Sequence, residues 1–210
     1  GQRRGVARIA VVCRRVAGRC CFKSPCLMVN PVFSIAVYCG SRPGTEPAHT
    51  DAATEVGTWI GSRGGQLVYG GGKTGLMGTV ARACAQAGGR VLGVMPRALV
   101  AREVANTDCD ELVVVETMHE RKAIMAERSD AFIAMAGGIG TFEELFEIWT
   151  WRQLGYHNKP VGLLNINGYY DGLNTFIQTA LQAEFMDDRQ MALIEVGCEP
   201  AALLHTLVGH

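Results

Sequence analysis

Short apolar runs alternate with longer amphipathic stretches along most of this chain. Apolar runs of roughly four to eight residues are typical of buried strands, and longer stretches with apolar positions at helical spacing are typical of helices. On this basis we predict strands at residues 32–38, 66–69, 90–95, 111–115, 130–136, 159–164 and 193–196. Helices are predicted at residues 47–62, 76–87, 118–128, 142–154 and 169–184, and a last one from residue 200.

The repeated strand–helix units with short links predict an α/β fold, with a doubly wound parallel sheet in three layers and a single domain. A length of 210 residues suits one domain with its own core. Ligands of such sheets bind beyond the carboxyl ends of the strands. Two glycine-rich segments, at residues 70–75 and 137–140, directly follow strands, so both are expected at this edge.

The first 27 residues differ in character from the rest. They carry six arginines, one lysine and four cysteines, but no acidic residue. The apolar stretch at residues 9–13 is shorter than the roughly 7–15 residues of a signal-peptide core. Met28 precedes the first well-defined strand and is expected to be the natural start. We therefore expect residues 1–27 to be an atypical extension peripheral to function, and residues 28–210 to form the domain.

Composition excludes several classes of protein. The formal charge is zero, with pI near 7.1, so there is no basic surface for a nucleic-acid polymer or an anionic membrane. No apolar run approaches the roughly 20 residues that span a bilayer. The remaining cysteines are widely spaced, at Cys39, Cys84, Cys109 and Cys198. This spacing is typical of free cysteines that are buried as small apolar residues in a reducing compartment, which predicts a cytoplasmic protein. Cys20 and Cys26 have no downstream cysteine or histidine at zinc spacing, so no metal is expected.

The second glycine segment, Gly137–Thr141, carries the strongest functional signal. Glycines let backbone N–H groups approach an anion, and the start of the following helix adds unpaired donors. Glu143 and Glu144 then lie in the first helical turns, about 100° apart, so only one of them can face a ligand squarely. A phosphate cradle beside an acid indicates chemistry on a phosphorylated small molecule.

Two helix starts carry a capping-box pattern. Thr141 and Glu144 form one pattern, and Thr117 and Glu120 form the other. In each, the threonine would be the N-cap and the glutamate would accept a hydrogen bond from the threonine backbone N–H. Helix capping is therefore the purely structural alternative for Thr141 and Glu144.

The first glycine segment matches two nucleotide-binding patterns only in part. Gly70, Gly72 and Gly75 satisfy G-x-G-x-x-G, but the next strand ends without the acid that an NAD site requires. A Walker loop would need glycine where this chain has Leu67. A nicotinamide oxidoreductase and a nucleoside triphosphatase are therefore disfavoured, and a tight strand-to-helix turn is the structural alternative.

The helix after residue 117 places two cations among methionines. Met118, Arg121, Lys122 and Met125 share one face through helical spacing. Such a face is commonly solvated, but methionines around an arginine favour a partly enclosed guanidinium suited to phosphate or base recognition.

Taken together, these motifs resemble the LOG (Lonely guy) family of cytokinin-activating enzymes, once widely mislabelled lysine decarboxylases. The family signature P-G-G-x-G-T-x-x-E is matched by residues 136–144, with Ala136 in place of proline, and M-H-x-R-K by residues 118–122. Tyr69 to Gly78, Ser41 after Cys39 and Gly40, and residues 159–165 also match. The resemblance runs from about residue 32 to the C-terminus.

This resemblance implies a Rossmann-like fold, assembled as homodimers or larger homo-oligomers, that needs no cofactor. The implied reaction is hydrolysis of the N-glycosidic bond of AMP or an N6-modified derivative, which releases the base and ribose 5-phosphate. Arg121 and Glu144 are the implied catalytic pair. The implied substrate contacts are Ser41, Gly71, Gly72, Thr74, Gly75, Met77, Glu103, Met118, Lys122, Gly137, Gly138, Ile139, Gly140, Thr141, Glu143 and Thr150. Ala136 leaves these groups unchanged, so activity is expected to survive.

Three alternatives remain open at this point. A pyridoxal-phosphate decarboxylase would need a Schiff-base lysine, and both Lys73 and Lys122 lie in phosphate-loop contexts. A non-catalytic nucleotide-binding protein would bind AMP without releasing adenine. A salvage nucleosidase would act on other nucleoside monophosphates.

Overall fold

The computed structural model describes residues 30–100 and 105–209, and the backbone of residues 10–12. The predicted contact Glu103 and the predicted start Met28 lie outside the described residues. So does most of the extension at residues 1–27.

The centre of the fold is a sheet whose seven consecutive strands pair in parallel. They are β2 (Ser34–Tyr38), β3 (Gln66–Tyr69), β4 (Arg90–Pro96), β5 (Glu111–Val115), β6 (Ala131–Ala134), β7 (Val161–Leu164) and β8 (Glu195–Gly197). A short β1 (Ala10–Val12) adds an antiparallel edge next to β5, and the sheet order is β1-β5-β4-β3-β2-β6-β7-β8. The predicted parallel sheet is confirmed; the edge strand β1 was not predicted.

Helices cover both faces of the sheet, which confirms the three-layer α/β prediction. They are α1 (Pro47–Ser62), α2 (Gly75–Gln86), α3 (Arg97–Val100), α4 (Met118–Glu127), α5 (Ile139–Gln153), α6 (Asp171–Gln182), α7 (Asp188–Met191) and α8 (Pro200–Val208), with a 3₁₀ turn at Ile166–Gly168. One core packs α1, α2 and α8 against the sheet, and the other packs α4, α5 and α6. No helix in the described part of the chain is long and apolar enough to cross a bilayer.

Two glycines bring α1 and α2 into backbone contact. A Cβ at Gly57 would lie 2.4 Å from the carbonyl oxygen of Val80, and one at Gly61 would lie 2.3 Å from that of Cys84. Only glycine permits this approach, because real Cβ atoms do not come so close to backbone atoms. The contact holds α2 tightly against α1 in one of the two cores.

The chain order places a crevice between β2 and β6. From β2 the chain proceeds outward through β3, β4 and β5, and it returns to the other side of β2 with β6, β7 and β8. Loops on either side of such a reversal diverge and leave an opening at the carboxyl edge, where ligands of α/β sheets bind. The segments after β2, β3 and β6 all reach this edge.

The predicted start of α5, at residue 142 after an N-cap at Thr141, was wrong by three residues. The helix begins at Ile139 with Gly138 as its N-cap, so Thr141 lies inside the first turn and forms no capping box with Glu144. Thr141 instead packs against Gly137, where a Cβ would lie 2.1 Å from its hydroxyl oxygen. The second predicted capping box, between Thr117 and Glu120, is confirmed.

Candidate active site

Three loops are hydrogen-bonded into one rim at the carboxyl edge of the sheet. The backbone N–H of Gly40, after β2, donates to the carbonyl of Ala136, after β6, at 3.0 Å. The N–H of Met77, in α2, donates to the carbonyl of Gly40 at 3.3 Å. The Thr74 hydroxyl, in the loop after β3, donates to the carbonyl of Ser41 at 3.2 Å. The predicted convergence of the two glycine segments is therefore present.

The glycine at the start of α2 is required by its conformation as well as by packing. Gly75 has φ +60°, and a Cβ there would lie 2.3 Å from the carbonyl carbon of Ser41. Any other residue would be strained and would separate the first glycine loop from the loop after β2.

Two helices begin at this rim. These are α2, from Gly75, and α5, from Ile139. The first N–H groups of a helix have no intrahelical acceptor, and the helix dipole adds partial positive charge there. The rim is thus suited to a phosphate group.

The predicted catalytic residues meet beside the rim. Nη2 of Arg121, on α4, lies 3.5 Å from Oε1 of Glu144, on α5, and their side chains are only 9% and 12% exposed. Nη1 of Arg121 contacts the sulfur of Met118 at 3.8 Å. A Cβ at Gly70 would lie 2.1 Å from Nη2, so the guanidinium packs directly on this glycine. The enclosed guanidinium predicted from the flanking methionines is confirmed.

A cavity of about 260 Å³ opens beside this pair. Its walls come from the loop after β2, the start of α2 and the first turns of α5, and they comprise Cys39, Gly40, Ser41, Met77, Arg121, Gly138, Ile139, Gly140, Thr141 and Glu144. A larger cavity, of about 690 Å³, adjoins it and shares Gly40, Ser41, Gly138 and Ile139. A carboxylate, a guanidinium and two helix starts therefore surround one space.

Tyr38 and Cys39, which both feel the charge of Glu144, stay neutral, which leaves Glu144 as the acid in the cavity wall. Burial, followed by the charge of Glu144, raises the pKa of Tyr38 well above its ordinary value. The same two causes, in the same order, raise the pKa of the Cys39 thiol. Neither group is a base at neutral pH.

The neighbouring charges on α4 and α5 pair with each other outside the cavity. Nζ of Lys122 bonds to Oε1 of Glu143 and lies 3.0 Å from Oε1 of Glu147. Burial lowers the pKa of Lys122, but its hydrogen bonds to the two glutamates outweigh that effect and raise the pKa overall. Glu143 is 51% exposed, whereas Glu144 lines the cavity, as the 100° separation of the two residues suggested.

The structure does not bring all predicted contacts to the cavity. Ser41, Met77 and the residues from Gly138 to Thr141 line it. Gly71 and Gly72, within the first glycine loop, are buried, and a Cβ there would meet Leu112 or Met77, respectively. Thr150 is exposed on α5 and is not part of the cavity wall.

Two consecutive tyrosines that were not predicted as site residues support the second glycine loop. The Tyr169 hydroxyl donates to the carbonyl of Gly137, and the buried Tyr170 hydroxyl donates to the carbonyl of Met135 at 2.7 Å. Both follow β7, the strand next to β6. The sequence signal was a Tyr-Tyr pair at a helix start that faces the ligand edge.

The part of the chain that the structure describes contains no cluster of side chains suited to a metal ion. Within residues 30–100 and 105–209, no group of three or more histidine, cysteine or acidic side chains is arranged to hold a metal ion.

Comparison with known proteins shows which family the sequence matches. A family model described as "Possible lysine decarboxylase" matches residues 77–207. The chain is 47% identical over 173 residues to the probable cytokinin riboside 5′-monophosphate phosphoribohydrolase LOGL6 of Oryza sativa subsp. japonica, covering 82% of this chain and 69% of that protein. It is 51% identical over 152 residues to the cytokinin riboside 5′-monophosphate phosphoribohydrolase LOG1 of Arabidopsis thaliana, covering 72% and 71%.

A solved structure supports the fold independently. The molybdenum cofactor binding protein from the phototrophic bacterium Rippkaea orientalis superposes with a TM-score of 0.63 at 21% identity, over 87% of this chain and 98% of that one. At this identity the likeness extends to the Rossmann-like fold alone.

Proposed function

Because this chain belongs to the LOG family of cytokinin riboside 5′-monophosphate phosphoribohydrolases, we propose that its Arg121–Glu144 cavity hydrolyses the N-glycosidic bond of N6-modified AMP. The products are the free base and ribose 5-phosphate. The observation that carries this proposal is a buried carboxylate–guanidinium pair beside a rim of helix starts.

The rim would hold the 5′-phosphate. Backbone N–H groups at the starts of α2 and α5 donate to an anion there, and the helix dipoles favour its charge. Ser41 lines both cavities next to these donors. A phosphate held in this way positions the sugar relative to Glu144, and such positioning removes much of the entropic barrier.

Glu144 would act at the anomeric carbon. Cleavage of the C1′–N9 bond develops positive charge on the ribose, which a nearby carboxylate stabilises. A water then bonds to C1′ and loses a proton to Glu144, while the electrons of the C1′–N9 bond leave with the base; Glu144 then returns that proton to the departed base. Arg121, held between Met118 and Gly70, fixes the orientation of Glu144.

The space around the rim fits a nucleotide. The 260 Å³ cavity alone is smaller than the roughly 300–1,000 Å³ typical of ligand sites. The adjoining 690 Å³ cavity shares four wall residues with it and supplies the remaining room.

A decarboxylase that uses pyridoxal phosphate fits this site poorly. Such an enzyme needs a lysine free to form a Schiff base. Nζ of Lys122 already bonds to two glutamates, and Lys73 is exposed on the first glycine loop. These contacts weigh against the activity that the family description mentions.

The assembly and compartment are also proposals. The α5 face exposes Phe146, which stacks on Trp149, and the residues that follow expose Leu154 and Tyr156. An apolar patch of this kind suits a homodimer or larger homo-oligomer. Free buried thiols suit a cytoplasmic protein, and recovery of the chain in a membrane fraction would contradict this.

Replacement of Glu144 tests the proposed reaction. Glu144→Gln keeps the shape of the side chain and removes its charge, so we expect base release to fall by about 100-fold or more. Glu127→Gln, an exposed change on α4, is the matched control and should leave the rate unchanged. Near-normal turnover by Glu144→Gln would contradict the role of Glu144.

A further inference from the structure

Two pairs of adjacent residues face each other across α4 and α5. Arg121 meets Glu144 at 3.5 Å. Lys122, the next residue on α4, bonds to Glu143 and lies 3.0 Å from Glu147 on α5. The two helices are therefore linked beside the cavity by two separate sets of ion pairs. One set is Arg121 with Glu144, and the other is Lys122 with Glu143 and Glu147.

Without Lys122, the carboxylates on α5 would repel one another. Glu143 and Glu147 lie one helical turn apart, a spacing at which like charges repel. Glu144 adds a third carboxylate between them in sequence. Lys122 is 14% exposed and contacts both outer glutamates at once, so it neutralises the pair that the cavity does not use.

From these contacts we propose that Lys122 is a positioning residue, which holds Glu143 and Glu147 away from Arg121 and so preserves the Arg121–Glu144 geometry. This inference rests on the proposed function of that pair. An arginine fork binds carboxylates strongly and from several directions. Without Lys122, two further carboxylates on the same helix would compete with Glu144 for Arg121.

The same contacts make Lys122 unsuited to direct phosphate binding. Two of the three donors of its ammonium group are used by the glutamates. Lys122 with Glu143 and Glu147 carries one formal negative charge, so this group, which lies outside the cavity wall, does not attract a phosphate. Lys122 therefore acts through Arg121 and not on the substrate.

The test compares kcat and KM in a short series of variants. Lys122→Met keeps the aliphatic stem and removes the charge, so we expect kcat to fall about 10-fold or more with KM within about 3-fold. Adding Glu143→Gln and Glu147→Gln removes the competing carboxylates and should restore kcat to within about 3-fold of wild type. Lys122→Arg keeps a cation between the glutamates and should retain most of kcat.

A substrate contact would behave in the opposite way. If Lys122→Met raises KM for the monophosphate about 10-fold at unchanged kcat, and the triple variant does not recover, the proposal is overturned. Circular dichroism of each variant checks that it is folded.

An NMR readout separates this inference from the proposed function. The side-chain Nε–Hε resonance of Arg121 should shift in Lys122→Met and return in the triple variant. If the wild-type chain releases no base, the proposed function fails, yet this resonance still decides the inference. An Arg121 resonance unmoved by Lys122→Met would refute the positioning role.

Discussion

At the scale of single residues, the site depends on how closely side chains pack on glycines. The sequence predicted glycine loops that bring backbone N–H groups to an anion. The structure adds a second use, because Gly70 provides the flat surface on which the Arg121 guanidinium lies. A pattern of glycines cannot reveal this use, since it depends on a helix that begins more than forty residues later.

Gly70→Ala tests this contact. The new Cβ would lie 2.1 Å from Nη2 of Arg121, so the flexible side chain must move away and lose its contact with Glu144. We expect kcat to fall about 10- to 100-fold while the protein stays folded. Gly172→Ala is the matched control, since a Cβ there meets nothing within 4 Å. Wild-type kcat in Gly70→Ala would show that the position of Arg121 is unimportant.

The capping of α5 shows where residue-level prediction failed. Thr141 and Glu144 have the spacing of a capping box, and the identical logic was correct for Thr117 and Glu120. In α5 the helix begins earlier because Gly137 packs on the loop after β2 and draws Thr141 inward. Tertiary packing overrode a local preference at the functional site, where such conflicts are expected.

At the scale of elements, the long strands and helices were predicted within a few residues. Strands β3 and β5 and helix α1 match the predicted bounds. The four-residue helices α3 and α7 were missed, because so short a segment has no measurable apolar period. The positions of the loops at the ligand edge followed from the parallel sheet. The sequence did not predict that the tyrosines after β7 support the second glycine loop. Their hydrogen bonds to that loop depend on the register between β7 and β6.

Tyr170→Phe tests that support. The buried hydroxyl donates to Met135, and burial keeps its pKa above the ordinary value, so it remains a donor at neutral pH. Its removal leaves a buried carbonyl without this donor, and we expect the free energy of unfolding to fall by about 1–3 kcal/mol in urea titrations. Tyr169→Phe removes a more exposed hydroxyl and should cost less. If Tyr170→Phe is as stable as wild type, the hydrogen bond from Tyr170 to Met135 does not stabilise the fold.

At the scale of the whole molecule, the winding of the chain to both sides of β2 creates the crevice that holds the site. The strand–helix alternation predicted this architecture and the edge at which ligands bind. It did not predict that Lys122 pairs with Glu143 and Glu147, because the rotation of two helices about their axes is set by the packed core and not by either helix alone.

The proposed assembly predicts that α5 forms the contact between subunits. Light scattering after size exclusion should give about twice the 22.6 kDa chain mass or a larger multiple. Phe146→Asp introduces a charge into the exposed α5 patch and should shift the mass toward the monomer. Phe176→Asp, on the exposed face of α6, is the control and should leave the mass unchanged. Dissociation by the α6 change alone would place the interface elsewhere.

The most direct test of the account is product analysis with the purified wild-type chain. Nucleoside 5′-monophosphates, including AMP and N6-prenylated AMP, are incubated with it beside the matching nucleosides, and base and ribose 5-phosphate are quantified by chromatography. We expect equal amounts of base and ribose 5-phosphate from the monophosphates, with the nucleosides left intact. Monophosphates recovered unchanged, or cleaved to nucleoside and phosphate, would contradict the assignment of this site.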